Sequence, residues 1–233
     1  MMLNRSRLAI ATIAGILLLA GSASQAGGVT VAGPARVDLT ASAQPQAAFV
    51  PVADNAFHID AVFGQVTHAA TTATSSAVCN GCVGTATTVQ VLYVDRAPST
   101  TLDNVAVAWT QGCTVCRATA VSLQVVVVND PGTLSPNNRS LALNAACDLC
   151  NARSGAYQLV VAYTGPNSLS SSALRTLRQW TVERAKLLAE TPTSDLQTSS
   201  APTPADNMKS VAHVVNADLG SSTVAKRVRV SAD

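Results

Sequence analysis

The stretch NVAVAWTQGCTVCRATAVSLQVVVV, residues 104–128, carries two strand-like runs that meet at a Cys-x-x-Cys. Before the cysteines, Val105, Val107 and Trp109 alternate with Ala106, Ala108 and Thr110. After them, Thr119, Val121, Leu123, Val125 and Val127 alternate with Ala120, Ser122, Gln124 and Val126. A period of two with β-branched enrichment predicts a strand on each side of the cysteine pair.

The same unit recurs. All six cysteines fall into three pairs, Cys79 with Cys82, Cys113 with Cys116 and Cys147 with Cys150, each starting 34 residues after the previous one. A glutamine lies eleven residues after each first cysteine, at Gln90, Gln124 and Gln158. The second and third units open with Asn104 and Asn138, and the first lacks this Asn. Equal spacing with flanking residues in register marks an internal repeat.

Each unit therefore predicts strand, Cys-x-x-Cys, strand. Asn80-Gly81 suits the two positive-φ positions of a type I′ hairpin turn. Thr114-Val115 and Asp148-Leu149 suit it poorly, because β-branched and bulky residues resist positive φ. The segments 95–98 and 129–132 supply turn chemistry between units. The expected fold is mainly β: three tandem Cys-x-x-Cys hairpins in one antiparallel sheet over residues 57–166, with 57–66 adding an edge strand. The alternative is a β-solenoid, in which each unit forms one coil.

Past Gly165-Pro166 the pattern changes. Residues 173–190 lack Gly and Pro, and Leu174, Leu177, Thr181, Ala185 and Leu188 follow a three/four spacing. Residues 167–190 thus predict one amphipathic helix that covers the sheet. Residues 191–210, with three prolines amid Ser and Thr, read as a flexible linker. Residues 211–233 alternate again and suggest a tail or small hairpin; residues 27–56 read as an extended N-terminal segment.

Arg5 and Arg7, the apolar run 8–20 and Ser24-Gln25-Ala26 read as a signal peptide over residues 1–26. The expected location is extracellular, with no membrane span after cleavage, because no later apolar run approaches the ~20 residues a spanning helix needs. Without those two arginines, 13 basic side chains balance 13 acidic ones. Only 12% of residues are charged, which argues against nucleic acid as a partner.

Three readings of the cysteines compete. Residues i and i+3 of a turn lie within disulfide reach, and export with an even cysteine count favours bridges within each pair. Each such short loop is worth about 2 kcal/mol in the chain-entropy model. Two Cys-x-x-Cys knuckles also complete a zinc site, although three leave one pair over. A redox-catalytic pair usually sits at a helix N-terminus, whereas strand-like runs follow these pairs.

No His-Glu-x-x-His, Gly-x-Ser-x-Gly or phosphate loop is present. His58 and Asp60 share a strand face, an edge-strand coincidence rather than a ligand pair. Asn138-Arg139-Ser140 matches a glycosylation sequon, though the repeat accounts for that Asn equally well. No catalytic residue, metal ligand or cofactor is assigned.

The units beginning at Asn104 and Asn138, each with Gln eleven residues past its first cysteine, resemble uncharacterised secreted actinobacterial proteins with tandem Cys-x-x-Cys repeats. The resemblance covers about residues 70–190. It implies a secreted repeat protein and brings no established activity. The functional expectation is a secreted, non-enzymatic structural or interaction protein with disulfide-locked turns and an extracellular or cell-envelope protein partner. The alternatives are a secreted thiol–disulfide oxidoreductase and a thiolate metal-binding protein.

Overall fold

The structure is a computed structural model that describes residues 33–165, 168–191 and 204–232. The signal-peptide reading of residues 1–26 lies outside the described residues. Eight strands follow one another as β1 (Ala35–Ala43), β2 (Val52–Phe63), β3 (Thr67–Ala77), β4 (Val83–Asp95), β5 (Ser99–Gln111), β6 (Arg117–Asn129), β7 (Thr133–Ala145) and β8 (Asn151–Ala162). Odd strands build one sheet in the order β1-β3-β5-β7, and even strands build the other, β2-β4-β6-β8. Every pairing among these eight is parallel. The result is a β-solenoid of about four turns.

The antiparallel hairpin sheet expected from the sequence is thus replaced by its alternative. A hairpin folded at Cys113–Cys116 sets Gln124 opposite Val105 and Asn104 opposite Val125, so buried amides face hydrocarbon. Parallel stacking instead puts Gln90 beside Gln124, Gln124 beside Gln158, and Asn104 beside Asn138. A buried amide that keeps a hydrogen-bond partner avoids a desolvation cost of about 1–3 kcal/mol. Of the extended segment read over 27–56, residues 27–32 lie outside the described residues and the rest holds β1 and the start of β2, so the first coil of the solenoid begins at β1, ahead of residue 57.

The inward side chains shrink toward the cysteine corner. Near it the inward residues are small, among them Ala41, Ala73, Ala86, Ala106, Ala120 and Ala156, all fully buried. At the opposite corner they are Val62, Leu92, Leu102, Val126 and Val160. Alanine lets the two sheets approach closely, and this is why a chain with 3% aromatic residues can still close-pack. The unbroken Val125–Val128 run has its own reason. The inner face of β6 points into the solenoid and its outer face lies under a helix, so both faces exclude water.

That helix is α1 (Ser171–Glu190), capped by the Ser170 hydroxyl accepting from Ala173 N. Its buried residues are Ala173, Leu177, Thr181, Ala185 and Leu188, so the expected stripe is present with Ala173 more deeply set than Leu174. They meet Val89, Leu123, Tyr157 and Leu159 on the outer face of the even sheet. Trp180 meets Tyr157 edge-on, ring centroids 5.0 Å apart. Buried Arg153 donates to the carbonyl of Thr191, placing a cation at the helix C-terminus.

Of the linker read over residues 191–210, residues 192–203 lie outside the described residues, and the chain from residue 204 onward departs from the expected linker end and tail. A second helix, α2 (Pro204–Leu219), packs beside α1, and β9 (Ser222–Ala232) then pairs antiparallel with β8. Val211 and Val215 read as strand alternation, but with Met208, Ala212 and Leu219 they form a helical stripe, all buried. Short apolar patterns fit both periods. Asp218 of α2 accepts from the Ser170 N–H and hydroxyl, both at 2.7 Å, and so closes the two helices together. β9 covers the last edge of the even sheet, which would otherwise offer a row of unpaired backbone groups. Among the described residues no helix is long and apolar enough to cross a membrane.

Candidate functional site

The three Cys-x-x-Cys turns stack on one another at the corner leading from odd to even strands. Each has one left-handed residue at the same place: Gly81 (φ 68°), Val115 (φ 58°) and Leu149 (φ 53°). Between the two cysteines only one φ is positive, not the two of a type I′ hairpin, and Val115 and Leu149 hold that position despite their bulk. Backbone bonds tie the turns together: Gly81 N–H donates to Thr114 O at 2.8 Å, and Val115 N–H to Asp148 O at 2.9 Å. At Gly81 the Phe49 ring lies 2.6 Å from where a Cβ would stand, so a larger residue there would displace that exposed ring.

The cysteines do not all have the same state. Cys79 and Cys82 are at disulfide distance, with Cα atoms 5.3 Å apart, and so are Cys113 and Cys116, at 6.3 Å. Cys82 lies at the turn between strands, as the spacing implies, and is fully buried among the alanines of the cysteine corner. The reason is the two-residue period of the strand that follows, in which Cys82, Gly84 and Ala86 all face inward and all are buried. Cys82 is therefore a core residue as well as a bridge partner. Cys116 repeats this arrangement, fully buried ahead of Ala118 and Ala120.

Cys147 and Cys150, expected as a third bridge, are instead free thiols. Both approach the second bridge: Cys147 Sγ lies 3.5 Å and Cys150 Sγ 3.7 Å from Cys113 Sγ. The Cys147 thiol also meets the Thr110 hydroxyl at 3.2 Å. Desolvation pushes the Cys147 thiol up, but the Thr110 hydroxyl and surrounding hydrogen bonds outweigh it and leave the thiol below its ordinary value. Cys150 moves the other way, raised by desolvation and by its neighbour Cys147. The Sγ atoms of Cys113, Cys116 and Cys150 lie within 4.8 Å of one another. That spacing would suit a soft metal, but the Cys113–Cys116 bond occupies two of the three donors.

The repeat-marking amides lie inside the solenoid, not on its surface. Gln124 donates to Gln90 Oε1 at 2.8 Å, and Gln158 to Gln124 Oε1 at 2.7 Å. Asn104 donates to Asn138 Oδ1 and to the Tyr157 carbonyl, at 2.6 and 2.9 Å, and Asn138 donates to the Ala156 carbonyl. Asn138 is 8% exposed, so it is a ladder residue rather than an open glycosylation acceptor. Thr71 takes the corresponding place in the coil that lacks the Asn. The His58–Asp60 contact, 3.0 Å, stays on β2, and the structure does not gather it with the cysteines.

The two outer faces differ. That of the even sheet is covered by α1 and α2, whereas none of the described elements covers that of the odd sheet. The uncovered face carries Val105, Val107, Trp109, Leu141 and Leu143, the two leucines about half exposed (54% and 49%). Val105, Val107, Arg139, Leu141 and Arg229 line a groove of about 600 Å³ there. The edge of β7 beside it is blunted. Pro136 has no N–H to offer, and Ser231 of β9 donates to the Ser140 carbonyl.

Sequence periodicity placed these residues on strands without saying which face a helix would cover. Fold and corner together define a parallel two-sheet β-solenoid with stacked Cys-x-x-Cys turns. No family model, curated protein or solved structure matches the chain.

Proposed function

We propose that this chain is a secreted, non-enzymatic β-solenoid that acts as an interaction or structural module outside the cell, in keeping with its resemblance to secreted actinobacterial repeat proteins. The observation that carries the reading is the asymmetry of the two outer faces. One is packed under two helices, while the other is covered by none of the described elements and carries Val107, Leu141 and Leu143. Backbone ladders on both sheets hold those side chains in fixed columns, a pre-organised surface that loses little entropy on binding. The partner we infer is a cell-envelope or extracellular protein whose apolar residues seat on Val107 and Leu141. An acidic group of the same partner would face Arg229 at the end of the groove.

The test uses full-length protein and isolated cell-envelope material of the producing organism. Wild type is retained on it and stays retained after thiol alkylation, whereas the Val107→Lys/Leu141→Lys variant, folded by circular dichroism, passes through. Equal retention of both overturns the reading. So does multiple turnover in an insulin-reduction assay that is lost in Cys113→Ser/Cys116→Ser.

A further inference from the structure

The binding role makes no use of the two free thiols in the last coil. The repeat register sets Cys147 directly over Cys113, with the sulfurs 3.5 Å apart. We propose that Cys147 is the nucleophile of an intramolecular thiol–disulfide exchange, attacking Cys113 Sγ and handing the bridge of the second turn to the third.

The step is redox-neutral. The Cys147 thiolate forms a bond to Cys113 Sγ, the Cys113–Cys116 bond breaks, and its electron pair leaves on Cys116. The proton given up by Cys147 returns, through solvent, to Cys116. The carbonyls of Cys79 and Thr114, 3.2 and 3.5 Å from Cys116 Sγ, accept a hydrogen bond from the new thiol. Cys150, once deprotonated, then attacks Cys147 Sγ and expels the Cys113 thiolate. The second turn ends reduced and the third bridged as Cys147–Cys150.

Three features of the corner support this. The attacking and receiving sulfurs touch without any movement of the backbone ladder. The second thiol, Cys150, is also within 3.7 Å of Cys113, so a resolving group is in place. Hydrogen bonding around Cys147 favours its thiolate over that of Cys150, which matches the order of the two steps. The consequence is a mobile dithiol, resident in either of the last two coils.

The test is the Cys150→Ser full-length chain, in which the second step cannot occur. Protein purified without reductant and with chelator is acid-quenched, alkylated and mapped. A Cys113–Cys147 cross-link with alkylated Cys116 is expected in about a tenth or more of the chains, a ratio that corresponds to about 1.4 kcal/mol or less between the two bridges. Cys147→Ser/Cys150→Ser should show no alkylation of Cys116. A map with only Cys113–Cys116 and free Cys147, a Cys116–Cys147 bridge, or three reduced cysteines overturns the proposal. Should Cys150→Ser not fold, native pulse alkylation of wild type decides. Label divided between Cys113/Cys116 and Cys147/Cys150 supports exchange. Label confined to the last pair, or no label at all, overturns it.

Discussion

Gln124 donates its side-chain amide to Gln90 Oε1 at 2.8 Å across one coil, and both side chains are fully buried. In the next coil Gln158 donates to Gln124 in the same way at 2.7 Å, so the amides of three successive coils form one ladder. Such a ladder requires parallel, in-register strands, because only that pairing sets identical residues side by side. Replacing the middle amide, Gln124→Leu, leaves the buried Gln90 Oε1 without its donor. We expect a loss of about 1–3 kcal/mol, read as a lower urea midpoint with an unchanged denaturant slope. Gln124→Glu should be pH-dependent. Burial raises the carboxyl's folded pKa, so the variant is most stable in acid and weakens as pH rises through the carboxylate range.

The helix α1 is held by its apolar stripe. Leu177, 1% exposed, sits in the cluster formed with Leu123, Tyr157 and Leu159. Leu177→Ala should destabilise by about 2–5 kcal/mol, the range for a buried leucine truncation. Hydrogen exchange should show lost protection in α1 before the β4–β6 ladder.

Val115 holds φ 58° at a β-branched residue, a conformation disfavoured by about 1–2 kcal/mol. Its side chain is 43% exposed, so little packing is lost on replacement. Val115→Asn, which tolerates the left-handed region, should stabilise by about 0.5–1 kcal/mol in thermal or urea unfolding. A lower midpoint would show that the valine contacts outweigh the strain.

The Thr110 hydroxyl is one of several contacts that, against desolvation, hold the Cys147 thiol below its ordinary value. Because the folded thiol lies below its ordinary value, the thiolate persists to lower pH than in the unfolded chain. Its stabilisation is present above the ordinary thiol range and lost as pH falls through the folded value. Thr110→Val should move the pH midpoint of Cys147 alkylation upward and slow labelling near neutral pH. An unchanged profile would mean that the backbone contacts suffice. Cys150, raised in the same corner, should label more slowly than Cys147 in wild type.

Strands, repeat length and turn positions were legible from residues 104–128 and their two relatives. Period-two alternation is a local property and survives whatever the strand pairs with. The covering helix was equally legible, because residues 173–190 hold a three/four spacing over five turns without Gly or Pro. The short stripe of Met208, Val211, Ala212, Val215 and Leu219 was not, because Val211, His213 and Val215 also alternate. At the corner, spacing marked all six cysteines but could not separate the two bonded pairs from the third, since the spacing is the same at every turn. Nor did spacing show that Cys82 and Cys116 point into the core, because the inward side of a turn is defined only once the coil closes.

Taken by itself, the sequence determined that this is a β repeat of 34 residues with a cysteine turn and a buried-sized glutamine per unit. Tertiary structure alone decided that strands pair with the next repeat rather than with their own turn partner. The reason is non-local: a glutamine signals its need for a partner, but whether Val105 or Gln90 meets Gln124 depends on how distant coils stack. The same holds for the outer faces and for Cys147 against Cys113. Each is a contact between segments a full repeat or more apart, set by the parallel register rather than by any local pattern.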